Sequence, residues 1–127
     1  MLIFLLLMDA RLREGIRLFN GGRYFESHES LEDFYLNAED RHKPFLEGLI
    51  QLAAALRLLR DFGDVKGPAR MARQAIIRLE NYQPIYLGIK VTRLIQSMEL
   101  WAREIEAGSQ AAANRLPKIS LRRFIFF

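Results

Sequence analysis

From Pro44 to Leu56 the only strongly polar residues are Glu47 and Gln51, set among Phe, Leu, Ile, Ala and Gly48. A helix apolar nearly all round belongs inside a bundle rather than on its surface. A membrane span needs about 20 such residues, and here Arg57, Arg60 and Asp61 follow at once. Gly48 and the run Ala53-Ala54-Ala55 would let neighbouring backbones come close. The expected fold is therefore all-α: a compact helical bundle with one buried central helix, about residues 44–60, surrounded by the others.

The flanking sequence supplies the others. Leu12, Ile16 and Phe19 recur at helical spacing over residues 9–20, and Asn20-Gly21-Gly22 stops that helix. A second helix is expected over residues 24–37, and a polar loop leads to Pro44, which suits the first turn of the central helix. Phe62-Gly63-Asp64 turns the chain. A fourth helix over residues 67–81 buries Ala69, Ala72, Ile76 and Leu79. Residues 81–88 read as a loop. The fifth helix, residues 89–107, places Val91, Leu94, Ile95, Met98, Trp101, Ala102 and Ile105 on one stripe. No strand-like alternation of any length appears.

With 127 residues there is room for one domain. Three parts are expected: an apolar N-terminal extension over residues 1–8, a single helical domain over residues 9–108, and a linker with a basic, apolar tail over residues 109–127. The extension is too short to span a bilayer and lacks the basic region and cleavage site of a secretory signal. Either it docks on the core or translation starts at Met8; the helix-opening character of Asp9 onward favours the second. With no cysteine, disulfides, thiolate zinc sites and thiol catalysis are excluded. The same absence suits a cytoplasmic protein.

Net charge is +4 and the isoelectric point about 9.8. The excess is small and segregated. Acidic residues gather between Glu26 and Glu47, and basic residues between Arg57 and Arg78. Solvated faces of opposite sign explain this simply. A nucleic-acid or anionic-surface reading stays open through Arg60, Lys66, Arg70 and Arg73.

One constellation carries chemistry. With Leu31 at the centre of the inner face, Tyr24, His28 and Tyr35 fall within about 60° of it and Glu32 near the edge of that arc. Glu29 lies about 160° away. His28 and Glu32 are thus expected to point inward together, and Glu47 and Gln51, also one turn apart, would meet them across the second and third helices. As a functional site, His28 and Glu32 would grip a divalent transition metal, with Glu29 or Glu47 as a third ligand. Glu29 and Glu32 are the candidate general bases. As a structural site, His28, Glu32, Glu47 and Gln51 form a satisfied polar cluster that sets helix register. A full dinuclear centre is disfavoured because the only other histidine, His42, lies in a polar loop. There is no phosphate loop, dinucleotide fingerprint or hydroxyl nucleophile beside a base.

The run from Phe19 to Glu32 (Phe-Asn-Gly-Gly-Arg-Tyr-Phe-Glu-Ser-His-Glu-Ser-Leu-Glu) and the run from Leu46 to Ala55 resemble domain of unknown function 309, a family of uncharacterised bacterial and archaeal proteins. A weaker likeness continues at residues 67–69. The resemblance implies a compact helical fold with one central helix. Its Glu-x-His-Glu-x-x-Glu signature falls on Glu26, His28, Glu29 and Glu32. Three positions depart from the family pattern: Tyr35 replaces a usual tryptophan, Glu47 a usual glutamine, and Arg57 a histidine of some members. The last two weaken a metal reading. Three function classes follow: a structural or interaction module, expected to form a homo-oligomer; a metal-binding protein or enzyme at His28 and Glu32; and a binder of nucleic acid or an anionic surface.

Overall fold

The computed structural model describes residues 8–109 and 115–122. The apolar extension over residues 1–7, and with it the choice of start site, lies outside the described residues. So do residues 110–114 and 123–127 of the tail.

Among the described residues the chain forms five α-helices: α1 (Ala10–Asn20), α2 (Tyr24–Asn37), α3 (Lys43–Phe62), α4 (Lys66–Leu79) and α5 (Val91–Glu106). Asp9 caps α1, its carboxylate accepting from the Arg11 N–H at 2.8 Å. Pro44 sits in the first turn of α3. Short 3₁₀ turns follow α2 (Asp40–His42) and α4 (Glu80–Tyr82). The fold is all-α apart from a small antiparallel hairpin, β1 (Ile85–Tyr86) and β2 (Ile89–Lys90), where the sequence reads as a loop and the start of the fifth helix. Leu87 and Gly88, both at positive φ, make its two-residue turn.

Consecutive helices pack on one another, so α3 lies between α2 and α4, while α1 covers α2 and α5 covers α4. Phe45, Leu46, Leu49, Leu52, Ala53, Ala55 and Leu56 of α3 are buried at the centre of one core. Two glycines permit the closest approaches. An added Cβ at Gly48 would lie 2.8 Å from the Leu79 Cδ2 of α4, and one at Gly15 2.7 Å from the Leu31 Cδ2 of α2. Beside Gly15, the buried Ser27 hydroxyl donates to the Gly15 carbonyl at 2.7 Å, which satisfies it.

One stripe of α3 stays partly exposed: Glu47, Ile50, Gln51 and Ala54. The central helix is therefore roofed on both sides but leaves a seam between α2 and α4. That seam is where the polar residues of α3 point.

The segment over residues 115–122 packs onto the body. Ile119 is buried, its N–H donating to the Asn20 side chain at 2.8 Å while the Asn20 amide donates back to the Ile119 carbonyl at 2.9 Å. Leu121 bridges Ile89, and the Lys90 N–H reaches the Ser120 carbonyl at 2.9 Å. Among the described residues no helix is long and apolar enough to cross a membrane.

Candidate functional site

Three helices each send a one-turn pair of polar side chains into the seam. Residues four apart on a helix share a face, so His28 and Glu32 on α2, Glu47 and Gln51 on α3, and Gln74 and Arg78 on α4 each present a pair. His28, Glu32, Tyr35, Glu47, Gln51 and Arg78 line an open concavity of about 340 Å³, with Ile50 and Ala54 among its apolar lining.

Glu47 is held from both sides. The Tyr35 hydroxyl donates to its Oε1 at 2.9 Å, and Arg78 Nη1 donates to its Oε2 at 2.7 Å. Arg78 Nε also donates to the Gln51 carbonyl at 3.2 Å. The Gln51 amide donates to the Gln74 carbonyl at 2.7 Å. One chain of hydrogen bonds thus runs from α2 across α3 to α4. Its electrostatic consequence shows at Tyr35, whose pKa is raised chiefly by the bond to Glu47 and further by burial. Removing that proton would set a phenolate against the carboxylate.

His28 and Glu32 stand apart from this chain. His28 Nδ1 lies 3.6 Å from Glu32 Oε2, with side chains 33% and 53% exposed. That is an ion-pair distance when the imidazole is protonated, and too long for a hydrogen bond. The helical wheel pointed this pair inward; the structure places it on the rim of an open groove. The reason is coverage. Among the described residues α2 packs mainly on α1 and α3, which leaves His28 and Glu32 partly open to solvent.

The four residues of the expected cluster do line one concavity, but not as a buried ring. Glu29 is exposed and is not among the groove-lining residues, and Glu26 is turned onto Arg23 at 2.5 Å. His42 bonds the Tyr86 hydroxyl at 2.5 Å, on the hairpin side of the fold. Among the described residues no three His, Asp or Glu side chains are placed to hold a metal ion. Glu47, the nearest candidate third ligand, already faces the Arg78 guanidinium, whose charge opposes a second cation there.

The arginine-rich surface is also partly engaged. Arg73 Nε donates to Glu106 Oε2 at 3.1 Å, and its second nitrogen donates to Oε1. Arg60 donates to the Gly22 carbonyl. Lys66 and Arg70 are exposed near the start of α4.

Tyr35, Gln74 and Arg78 complete the network, and the sequence reading assigned none of them to the cluster. The signal was present: Gln74 and Arg78 repeat the four-residue spacing of Glu47 and Gln51. Residues 12–71 match the family model described as domain of unknown function (DUF309). The chain carries a DUF309 domain. The matched stretch runs from α1 into α4, so His28, Glu32, Tyr35, Glu47 and Gln51 lie inside it while Gln74 and Arg78 lie beyond its end. The cationic partner of Glu47, Arg78, therefore comes from outside the matched region. No curated protein matches the chain.

Proposed function

We propose that this DUF309 chain is a small helical structural and interaction module, in which the cluster on α2, α3 and α4 clamps the register of the three helices. The observation that supports this reading is Glu47, whose two carboxylate oxygens are engaged by Tyr35 on one side and Arg78 on the other. A ligand carboxylate or general base works best with its charge uncompensated, whereas each oxygen of Glu47 accepts a hydrogen bond from a neighbouring helix and one of them faces a guanidinium.

The expected partner is a second copy of the chain. Leu36 is 70% exposed, and Phe62 and Ile77 are each 66% exposed. Phe25 and Phe62 flank the Arg57 guanidinium, whose carbon lies 4.3 and 5.7 Å from the two ring centres. The absence of cysteine suits a cytoplasmic setting. The alternative of a metal centre at His28 and Glu32, with Glu29 as third ligand or base, would need Glu29 brought into the groove.

Metal analysis by mass spectrometry on untagged, full-length protein and its His28→Ala variant tests the choice, alongside light scattering for oligomeric state. Metal-free protein that scatters as a dimer or larger species is the expected result. A near-stoichiometric transition metal, lost in the variant, would overturn the clamp reading.

A further inference from the structure

Arg60 and Lys118 lie far apart in sequence yet line the same cavity, of about 690 Å³, among the described residues. This is the size range of small-molecule sites. It lies away from the Glu47 groove, and its interior is mostly apolar: Leu56 and Leu59 from α3, Val65, Ile105 from α5, and Leu116 from the C-terminal segment.

Two of the side chains that line it are cations, Arg60 and Lys118. Arg60 donates to the Gly22 carbonyl, and Lys118 Nζ donates to the Asn20 carbonyl at 2.6 Å. Neither cation has a carboxylate partner among the described residues. Tyr24 also lines the cavity. It is only 3% exposed, and its hydroxyl has no hydrogen-bond partner among the described residues. The Arg60 guanidinium carbon lies 5.8 Å from the centre of its ring. Tyr24 is the first residue of α2, which begins with no side-chain cap, so the positive end of its dipole adds to the same region. Glu26, the acidic residue of that first turn, is taken by Arg23.

Two cations, an unmatched hydroxyl donor and an uncapped helix start, above an apolar interior, call for an anion carrying an apolar body. We propose that this cavity binds a small amphipathic monocarboxylate, its head between Arg60 and Lys118 and its hydrocarbon between the ends of α3 and α5. The carboxylate accepts from both cations, and burial of the chain against leucine and isoleucine supplies the remaining affinity. A phosphate or acetate ion alone would leave the apolar walls uncovered. A neutral alcohol would leave both cations without a counter-charge. The site shares no residue with the helix clamp, so the two readings fail or succeed separately.

Isothermal titration of the full chain with sodium decanoate, decanol and sodium acetate tests this. Decanoate is expected to saturate one site, decanol to bind at least about tenfold more weakly, and acetate to show no saturation. Arg60→Gln and Lys118→Gln should each weaken decanoate about tenfold, while thermal unfolding stays cooperative and the variants remain folded at the titration temperature. Arg93→Gln, an exposed cation on α5, should leave the affinity as it was. Failure of decanoate to saturate a site would overturn the proposal. So would equal binding of decanol, or unaltered affinity in both Gln variants.

Discussion

Arg78 reaches from α4 across the seam to Glu47 on α3, with Nη1 and Oε2 2.7 Å apart. A residue beyond the matched DUF309 stretch thereby forms an ion pair with one inside it. With Arg78 opposite, the Glu47 carboxylate gives a charge-assisted bond. Both side chains are over two-fifths exposed, so solvent screens the pair. A double-mutant cycle with Glu47→Gln and Arg78→Gln, read by urea unfolding, should give a coupling of about 0.5–1 kcal/mol, shrinking in molar salt. Zero coupling would remove the clamp.

His28 and Tyr35 sit two turns apart on α2 but are expected to respond differently. Tyr35→Phe deletes a hydrogen bond to a charged acceptor and should cost about 1 kcal/mol or somewhat more. His28→Ala removes a partly exposed side chain with a loose contact, and its effect should stay within about 0.5 kcal/mol. Thermal melts of the two variants at neutral pH separate these cases. A larger loss for His28→Ala would move the structural role to the His28–Glu32 pair.

Gly48→Ala tests the close approach of α3 and α4. Helix propensity alone would stabilise it by about 1 kcal/mol. The new methyl would stand 2.8 Å from Leu79 Cδ2 and 3.4 Å from Arg78 Cβ, so the helices must separate or Leu79 must leave its rotamer. A net loss of about 1–3 kcal/mol is expected, with Gly15→Ala behaving alike against Leu31. A more stable Gly48→Ala protein would mean that the seam relaxes freely.

Stability should fall at both pH extremes, for opposite reasons. The Arg11 side chain is the main cause holding Asp9 below its ordinary pKa of 3.8, and Arg73 likewise holds Glu106 below 4.5. A lowered folded pKa gives stability that is present above the unfolded value and lost as acid protonates the folded carboxylate. Burial raises Tyr24 and Tyr86 above 10.0, and the bond to Glu47 raises Tyr35. Above pH 10 the unfolded chain releases these phenolic protons first, so stability declines as pH rises. Melting temperatures across pH 3–11 should therefore show a plateau with two shoulders, and Tyr24→Phe should flatten the alkaline one. An alkaline limb that is identical in that variant would exclude Tyr24 as a cause.

Much of the fold was legible because its determinants are local. Residues 9–20 and 24–37 read as helices from apolar spacing and from Asn20-Gly21-Gly22, and α1 and α2 occupy Ala10–Asn20 and Tyr24–Asn37. Leu31 was placed at the centre of the inner face of α2 and is fully buried. The hairpin at Ile85–Lys90 and its bridge to Leu121 left no such trace. Strands of two residues have no periodicity to detect, and Leu121, which bridges Ile89, lies far along the chain.

The candidate site divides along the same line. The sequence determined which residues share a helical face: His28 with Glu32, Glu47 with Gln51, Gln74 with Arg78. Tertiary structure decided which face meets which, and how much water remains between them. A helical repeat fixes angles about one axis, whereas burial depends on how many other axes surround it. Because no further helix among the described residues covers the seam between α2 and α4, a cluster expected inside the bundle stands in an open groove. Its central carboxylate is neutralised by an arginine 31 residues away.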